Sequence, residues 1–150
     1  MFLFVSSSQT YDQQSLIPTL EKVLQHKPLE DQLAKLEIPF GDKKVSLDSK
    51  GYHGFIEFII RKSAHFVIFG LVAVAVYLVI SKVRHRYWLA LLITLILASL
   101  DEYHQYLTGG RTPSIKDVLL DMSGAITFLT VFVGLKLTNK KIRRIPSEGI

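Results

Sequence analysis

The chain contains no cysteine, which excludes disulfides and thiolate chemistry. It lacks an internal repeat and any low-complexity tract. There is no HExxH or paired-His spacing of the zinc type, no GxSxG, no P-loop and no glycine-rich dinucleotide turn. These absences remove the common signatures of metalloproteases, serine hydrolases, nucleotide hydrolases and dehydrogenases, and nothing in the residues calls for a cofactor. No segment resembles a nucleic-acid module either. The balance is basic, +5 with a pI of about 9.5. Its Lys and Arg sit beside apolar runs, which favours a membrane protein with basic cytoplasmic loops over a nucleic-acid partner.

What is present is oil. The 150 residues are 49% hydrophobic with a mean hydropathy of +0.29, and the length suits one domain. The apolar residues concentrate after residue 54, where three membrane helices are expected, over 54–81, 87–107 and 117–137. Ala64–Ile80 carries no charge, and Phe55–Ile60 extends it upstream with one acid, Glu57. Tyr87–Leu100 is uncharged, and Val118–Leu137 is broken by Asp121 alone until Lys136. About 20 apolar residues cross a hydrocarbon core of roughly 30 Å. Tyr87 and Trp88 read as interface anchors.

The first third is different. Met1–Val5 is apolar but gives way at once to Ser6-Ser7-Ser8-Gln9; it is too short for the core of a signal peptide and fits either a frayed terminus or the stub of a helix. Residues 6–53 form a polar, extracytoplasmic amphipathic region. Leu16, Leu20, Val23 and Leu24 recur at helical spacing, with Asp12 or Ser15 as cap. Pro28 suits a first helical position, followed by the stripe Leu29, Leu33 and Leu36. Pro39, Gly41 and Asp42 end that helix. Two short helices lying on a membrane face account for this pattern.

Topology follows from the bases. The loop Ser81–Arg86 (SKVRHR) and the tail at 138–150, with Lys140, Lys141, Arg143 and Arg144, both belong in the cytoplasm. The Thr108–Lys116 loop then lies outside. On that side Arg61, Lys62 and His65 join Asp101, Glu102, Gln105, Arg111, Asp117 and Asp121. Asp101 lies roughly 21 Å along its helix from Tyr87, inside the outer third of the bilayer.

Ionisable groups in hydrocarbon are costly, and those found there are usually paired and often functional. Asp101 and Gln105 share a face, as do Asp117 and Asp121; Glu57 precedes Arg61 by four, the favourable order for a helical ion pair. The signs nearly balance, so mutual pairing would lower the cost of immersion. The competing reading is a packing network, since interhelical polar contacts are worth about 1 kcal/mol or less; one contact would serve that end, and a dense cluster is excessive for it. Arg111 beside Gly109-Gly110 fits bidentate capture of a phosphate or carboxylate, or a solvated loop charge. Asp117 fits a capping acid for a helix begun at Ser114; Asp121, one turn deeper, does not. His65 beside carboxylates fits a proton donor, acceptor or metal ligand, and His65, Asp101, Glu102 and Asp121 together fit an oxygen-rich metal site. Tyr103 and His104 read as facing lipid or the interface.

These residues have a familiar order. Arg61-Lys62-Ser63-Ala64-His65-Phe66, then Asp101-Glu102-Tyr103-His104-Gln105, then Gly110-Arg111, then Asp117-Val118-Leu119-Leu120-Asp121 with Gly124 resemble the VanZ-like family of bacterial membrane proteins. The likeness runs over Glu57–Gly124, nearly half the chain, and more loosely over the polar N-terminal part. It implies an integral membrane fold of several helices and a link to the cell envelope, the family being named for a member associated with resistance to the glycopeptide teicoplanin. It also implies a further membrane helix ending in a segment like Phe2–Gln9, hence an N-terminal stub of a fourth span with both ends in the cytoplasm.

The expectation is an all-α, multi-pass protein of the bacterial cytoplasmic membrane with a mixed-charge pocket at the outer face. Its partners would be membrane lipids and a lipid-linked cell-wall precursor or a glycopeptide. Two alternatives stand beside it. One is an intramembrane enzyme acting on a lipid-linked or phospholipid substrate, with Asp101 or Glu102 as general base. The other is an ion-coupled transporter.

Overall fold

The computed structural model describes residues 15–40, 43–107 and 114–142. The elements run α1 (Ile17–Val23), α2 (Glu30–Leu33), β1 (Ile38–Phe40), β2 (Lys43–Val45), α3 (Leu47–Val79), α4 (Arg86–Leu107) and α5 (Ile115–Ile142). The expected segment Met1–Val5 and the end of the tail lie outside the described residues.

The three long helices form where the apolar runs are. The first begins earlier than its apolar run because Ser46 caps it: Ser49 N–H donates to Ser46 Oγ at 3.3 Å, and Ser46 N–H donates to Ser49 Oγ at 3.0 Å. One turn later Gly51 breaks the helix with φ 69° and ψ 166°, a backbone conformation glycine reaches without a Cβ penalty. The expected start at residue 54 is therefore the start of the apolar part, not of the helix.

The polar first third is not wholly helical. Residues 38–45 form an antiparallel hairpin pairing Ile38 with Val45 and Phe40 with Lys43. Pro39, expected to end a helix, lies in β1; Gly41 and Asp42, expected to do the same, lie outside the described residues. Lys44 Nζ donates to Glu37 Oε2 at 2.6 Å, and that hydrogen bond pushes the Lys44 pKa up. Pro28 does not open a helix: α2 starts at Glu30, after Lys27 and Leu29 have both taken positive φ. The Pro28 carbonyl instead accepts from the buried Tyr52 hydroxyl at 2.8 Å, which fastens this region to α3.

α3 and α5 make the principal helix pair, and α4 packs against both. Small residues let the backbones approach, as is common between membrane helices. A Cβ at Gly124 would lie 2.1 Å from the Phe66 carbonyl oxygen, and one at Gly70 would lie 2.6 Å from the Phe128 ring. Further along, Tyr77 meets Phe132 edge to face at 6.1 Å. The matched positions 66/124, 70/128 and 77/132 rise together, so α3 and α5 run parallel. Ala73, Tyr77, Ala90, Leu91, Ala125 and Leu129 fill the space among the three helices. Thr94, fully buried in the same layer, returns its hydroxyl to the Ala90 carbonyl at 2.8 Å.

Among the described residues two helices are long and apolar enough to cross a membrane, Leu47–Val79 and Ile115–Asn139; only 22% of the most apolar 18-residue stretch of each is buried. A soluble protein's core helix would be mostly buried. Leu71, Leu78, Val131 and Leu135 instead face outward. α4 shares the apolar run but ends in Asp101, Glu102, His104 and Gln105, which lower its average; of the three expected spans, length and apolarity make two of them candidates.

Candidate functional site

Because α3 and α5 run parallel and α4 returns between them, the beginnings of α3 and α5 and the end of α4 share one end of the bundle. The charged residues of all three meet there. Lys62 Nζ forms an ion pair with Asp117 Oδ1 across the α3–α5 crossing. One turn deeper, His65 Nδ1 lies 3.4 Å from Asp121 Oδ1. The Phe66–Gly124 contact closes the interface immediately below. The close crossing sets the register that brings the two polar pairs face to face.

The two rungs differ. Both Lys62 and Asp117 keep some access to solvent. The Lys62 ammonium also stands 4.5 Å from the centre of the Phe40 ring and 5.7 Å from that of Phe58; both lie within cation–π range. Phe40 belongs to the hairpin and meets Phe58 edge to face at 5.4 Å. The hairpin thus roofs Lys62.

Asp121 is 4% exposed, and its Oδ1 has no hydrogen-bond donor among the described residues. The His65 contact exceeds ordinary hydrogen-bond length and is ionic only when the imidazole is protonated. His65 stacks on Phe69 at 6.1 Å and keeps 24% of its side chain exposed. Asp101 and Asp117 lie within electrostatic range of Asp121.

On α4, Gln105 Nε2 donates to Asp101 Oδ2 at 2.8 Å, the i to i+4 relation expected of them. Glu102 reaches across to α5 and accepts from the Ser114 N–H at 2.7 Å. That corrects the reading of Asp117 as the capping acid: Glu102 of the neighbouring helix holds the start of α5, and Asp117 is released to Lys62. Of the carboxylates expected beside His65, the one that meets it is Asp121. Arg111 and Gly109-Gly110 fall outside the described residues. Tyr103 is exposed, whereas His104 is half-buried. Among the described residues no three His, Asp or Glu side chains gather closely enough to hold a metal ion, so the four-residue metal site is not assembled by them.

Glu57 was noted in the sequence only as a partner of Arg61, yet it is the most enclosed acid described, at 2% exposure. Its Oε1 accepts from Arg61 Nη2 at 2.7 Å and from the Leu16 N–H at 3.2 Å, and its Oε2 accepts from Ser15 Oγ at 3.5 Å. Ser15 Oγ in turn accepts from the Ile17 N–H at 3.3 Å. A buried carboxylate demands such donors, and the start of α1 supplies them. The signal was there: Glu57 is the sole acid in the run Phe55–Ile60.

The profile of the family described as VanZ/LLP1 matches residues 1–137. No curated protein matches the chain, and no solved structure does.

Proposed function

The chain belongs to the VanZ/LLP1 family, and from that premise we propose that it is a multi-pass protein of the bacterial cytoplasmic membrane whose charged cluster engages a polar ligand at the outer face. In this reading α4 is a third span and the tail lies in the cytoplasm. The ligand is a polar lipid head group, a lipid-linked cell-wall precursor or a glycopeptide of the teicoplanin type. Lys62, Arg61 and Arg111 hold its anionic groups, and Asp101, Glu102, Asp117 and Asp121 take its amines or orient the bases.

The observation that carries this reading is the ladder Lys62–Asp117 over His65–Asp121 at the end where three helices meet. Packing alone is served by the glycine contacts just below it, so two further polar rungs are surplus to that need. An ion pair that keeps some solvent access can exchange its partner for a ligand's charge at little electrostatic loss.

The test is drug tolerance in a susceptible bacterium expressing the chain. Substituting Arg111→Ala or Lys62→Met should lower teicoplanin tolerance with the protein still present in the membrane. Unchanged tolerance at normal protein level would overturn the reading.

A buried Asp121 beside a part-exposed His65 favours a second reading, an intramembrane enzyme in which this pair moves a proton on a lipid-linked substrate. Turnover of phospholipid or polyprenyl substrates by purified protein, abolished in His65→Gln, would select it.

A further inference from the structure

The two ends of the helix bundle treat charge in opposite ways. At the end just described three bases are matched with acids: Arg61 has Glu57, Lys62 has Asp117 and His65 has Asp121. At the other end, among the described residues, there are no acids. Between Glu57 and Asp101 every charged residue is Lys or Arg, and the same holds between Asp121 and Glu148. Lys82 and Arg84 are exposed, and among the described residues neither has an ion-pair partner.

The loop that carries them is shaped by its own bonds. The Val83 N–H donates to the Ile80 carbonyl at 3.2 Å, and the Arg86 N–H donates to the Val83 carbonyl at 3.3 Å. Arg86 is committed inward: its guanidinium lies 4.4 Å from the centre of the Tyr77 ring and donates to the Ser81 carbonyl at 3.2 Å. With Arg86 clamping the turn, Lys82 and Arg84 are left to the surroundings. Apolar side chains flank them, with Val79 84% and Trp88 69% exposed. Trp88 stands edge-on to Tyr87 at 5.3 Å, and the Tyr87 hydroxyl is bonded to Thr130 Oγ1 at 2.9 Å. Two unpaired cations thus sit between a bare valine and a braced tryptophan. Trp at this position is an interface anchor, and long basic side chains near a helix end reach for the head-group layer.

We propose that the 80–88 turn is a docking site for anionic phospholipid, with Lys82 and Arg84 on the lipid phosphate and Trp88 and Val79 against the upper acyl chain. Charge complementarity commits it to lipid: among the described residues no acid lies at this end, and the apolar flanks have no use for free phosphate. The inference does not depend on the ligand of the opposite end.

The test uses the full chain, purified in detergent and titrated with phosphatidylglycerol or phosphatidylcholine while bound lipid is counted by native mass spectrometry. Each basic side chain at an anionic surface contributes roughly a fivefold factor, so Lys82→Gln with Arg84→Gln should cut phosphatidylglycerol retention ~25-fold relative to wild type. Phosphatidylcholine retention should not change, and inorganic phosphate at millimolar concentration should not compete. Both residues are exposed, so the thermal midpoint of the variant reports whether it is folded. The control Lys22→Gln with Lys35→Gln removes two exposed bases from the other end and should leave the preference intact. Equal retention of the two lipids by wild type would overturn the proposal. So would a preference that survives Lys82→Gln/Arg84→Gln in folded protein, or one that inorganic phosphate abolishes.

Discussion

Gly124 presses its Cα against the Phe66 carbonyl so closely that a methyl group there would fall 2.1 Å from the oxygen. The obstacle is backbone, which cannot rotate aside, so the two helices would have to separate. Gly124→Ala should destabilise the protein by about 1–3 kcal/mol, the usual cost of overpacking, and Gly124→Leu should prevent folding. Gly134 lies in the same helix with open space around it; Gly134→Ala should be neutral or stabilise by about 0.5–1 kcal/mol through helix propensity. Thermal unfolding in detergent separates the two. Equal tolerance at both positions would mean that α3 and α5 do not cross where described.

The same crossing sets the polar ladder, which a mutant cycle can read. Lys62→Met and Asp117→Asn each leave a charge without its partner at a partly enclosed position, and each should cost about 1–3 kcal/mol. The double variant should cost less than the sum, with an interaction energy of about 0.5–3 kcal/mol. Additive losses would show that the two side chains do not meet.

Glu57 ties the start of α1 to α3. Glu57→Met removes the acceptor for the Leu16 N–H and takes a carboxylate partner from Arg61, whose side chain is mostly enclosed. Breaking a buried pair from one side costs about 3–5 kcal/mol. Hydrogen exchange at Leu16 and along α1 should speed at least tenfold, and faster than at Ala90 or Leu129 in the core. Exchange that rises uniformly along the chain would contradict a local tether.

How far the sequence could be read is clearest at particular residues. The three long helices were legible because a charge-free run of helical length has few alternatives. The side of the bundle where charges gather was legible because basic loops alternate with acid-bearing ends. Partner choice was not. Asp117 and Asp121 are one turn apart on one helix, and only the depth set by Gly124 against Phe66 assigns Lys62 to the first and His65 to the second. Glu102 capping the neighbouring helix could not be foreseen, since a local capping rule looks only within its own helix. The hairpin at 38–45 was missed because each strand is three residues long, too short for alternation to register. Pro39, in the first of these strands, therefore reads as a helix stop. Glu57 was underweighted because a favourable i to i+4 partner explained it too easily.

The account rests on which end of the bundle faces out. The absence of native cysteine allows single cysteines to be placed freely, and both Leu36 and Arg84 are exposed. Intact cells carrying Leu36→Cys or Arg84→Cys should be treated with a membrane-impermeant maleimide. Leu36→Cys should label in intact cells, and Arg84→Cys only after the membrane is opened. Labelling of Arg84→Cys in intact cells, with Leu36→Cys protected, would put the charged ladder on the cytoplasmic side and contradict the account.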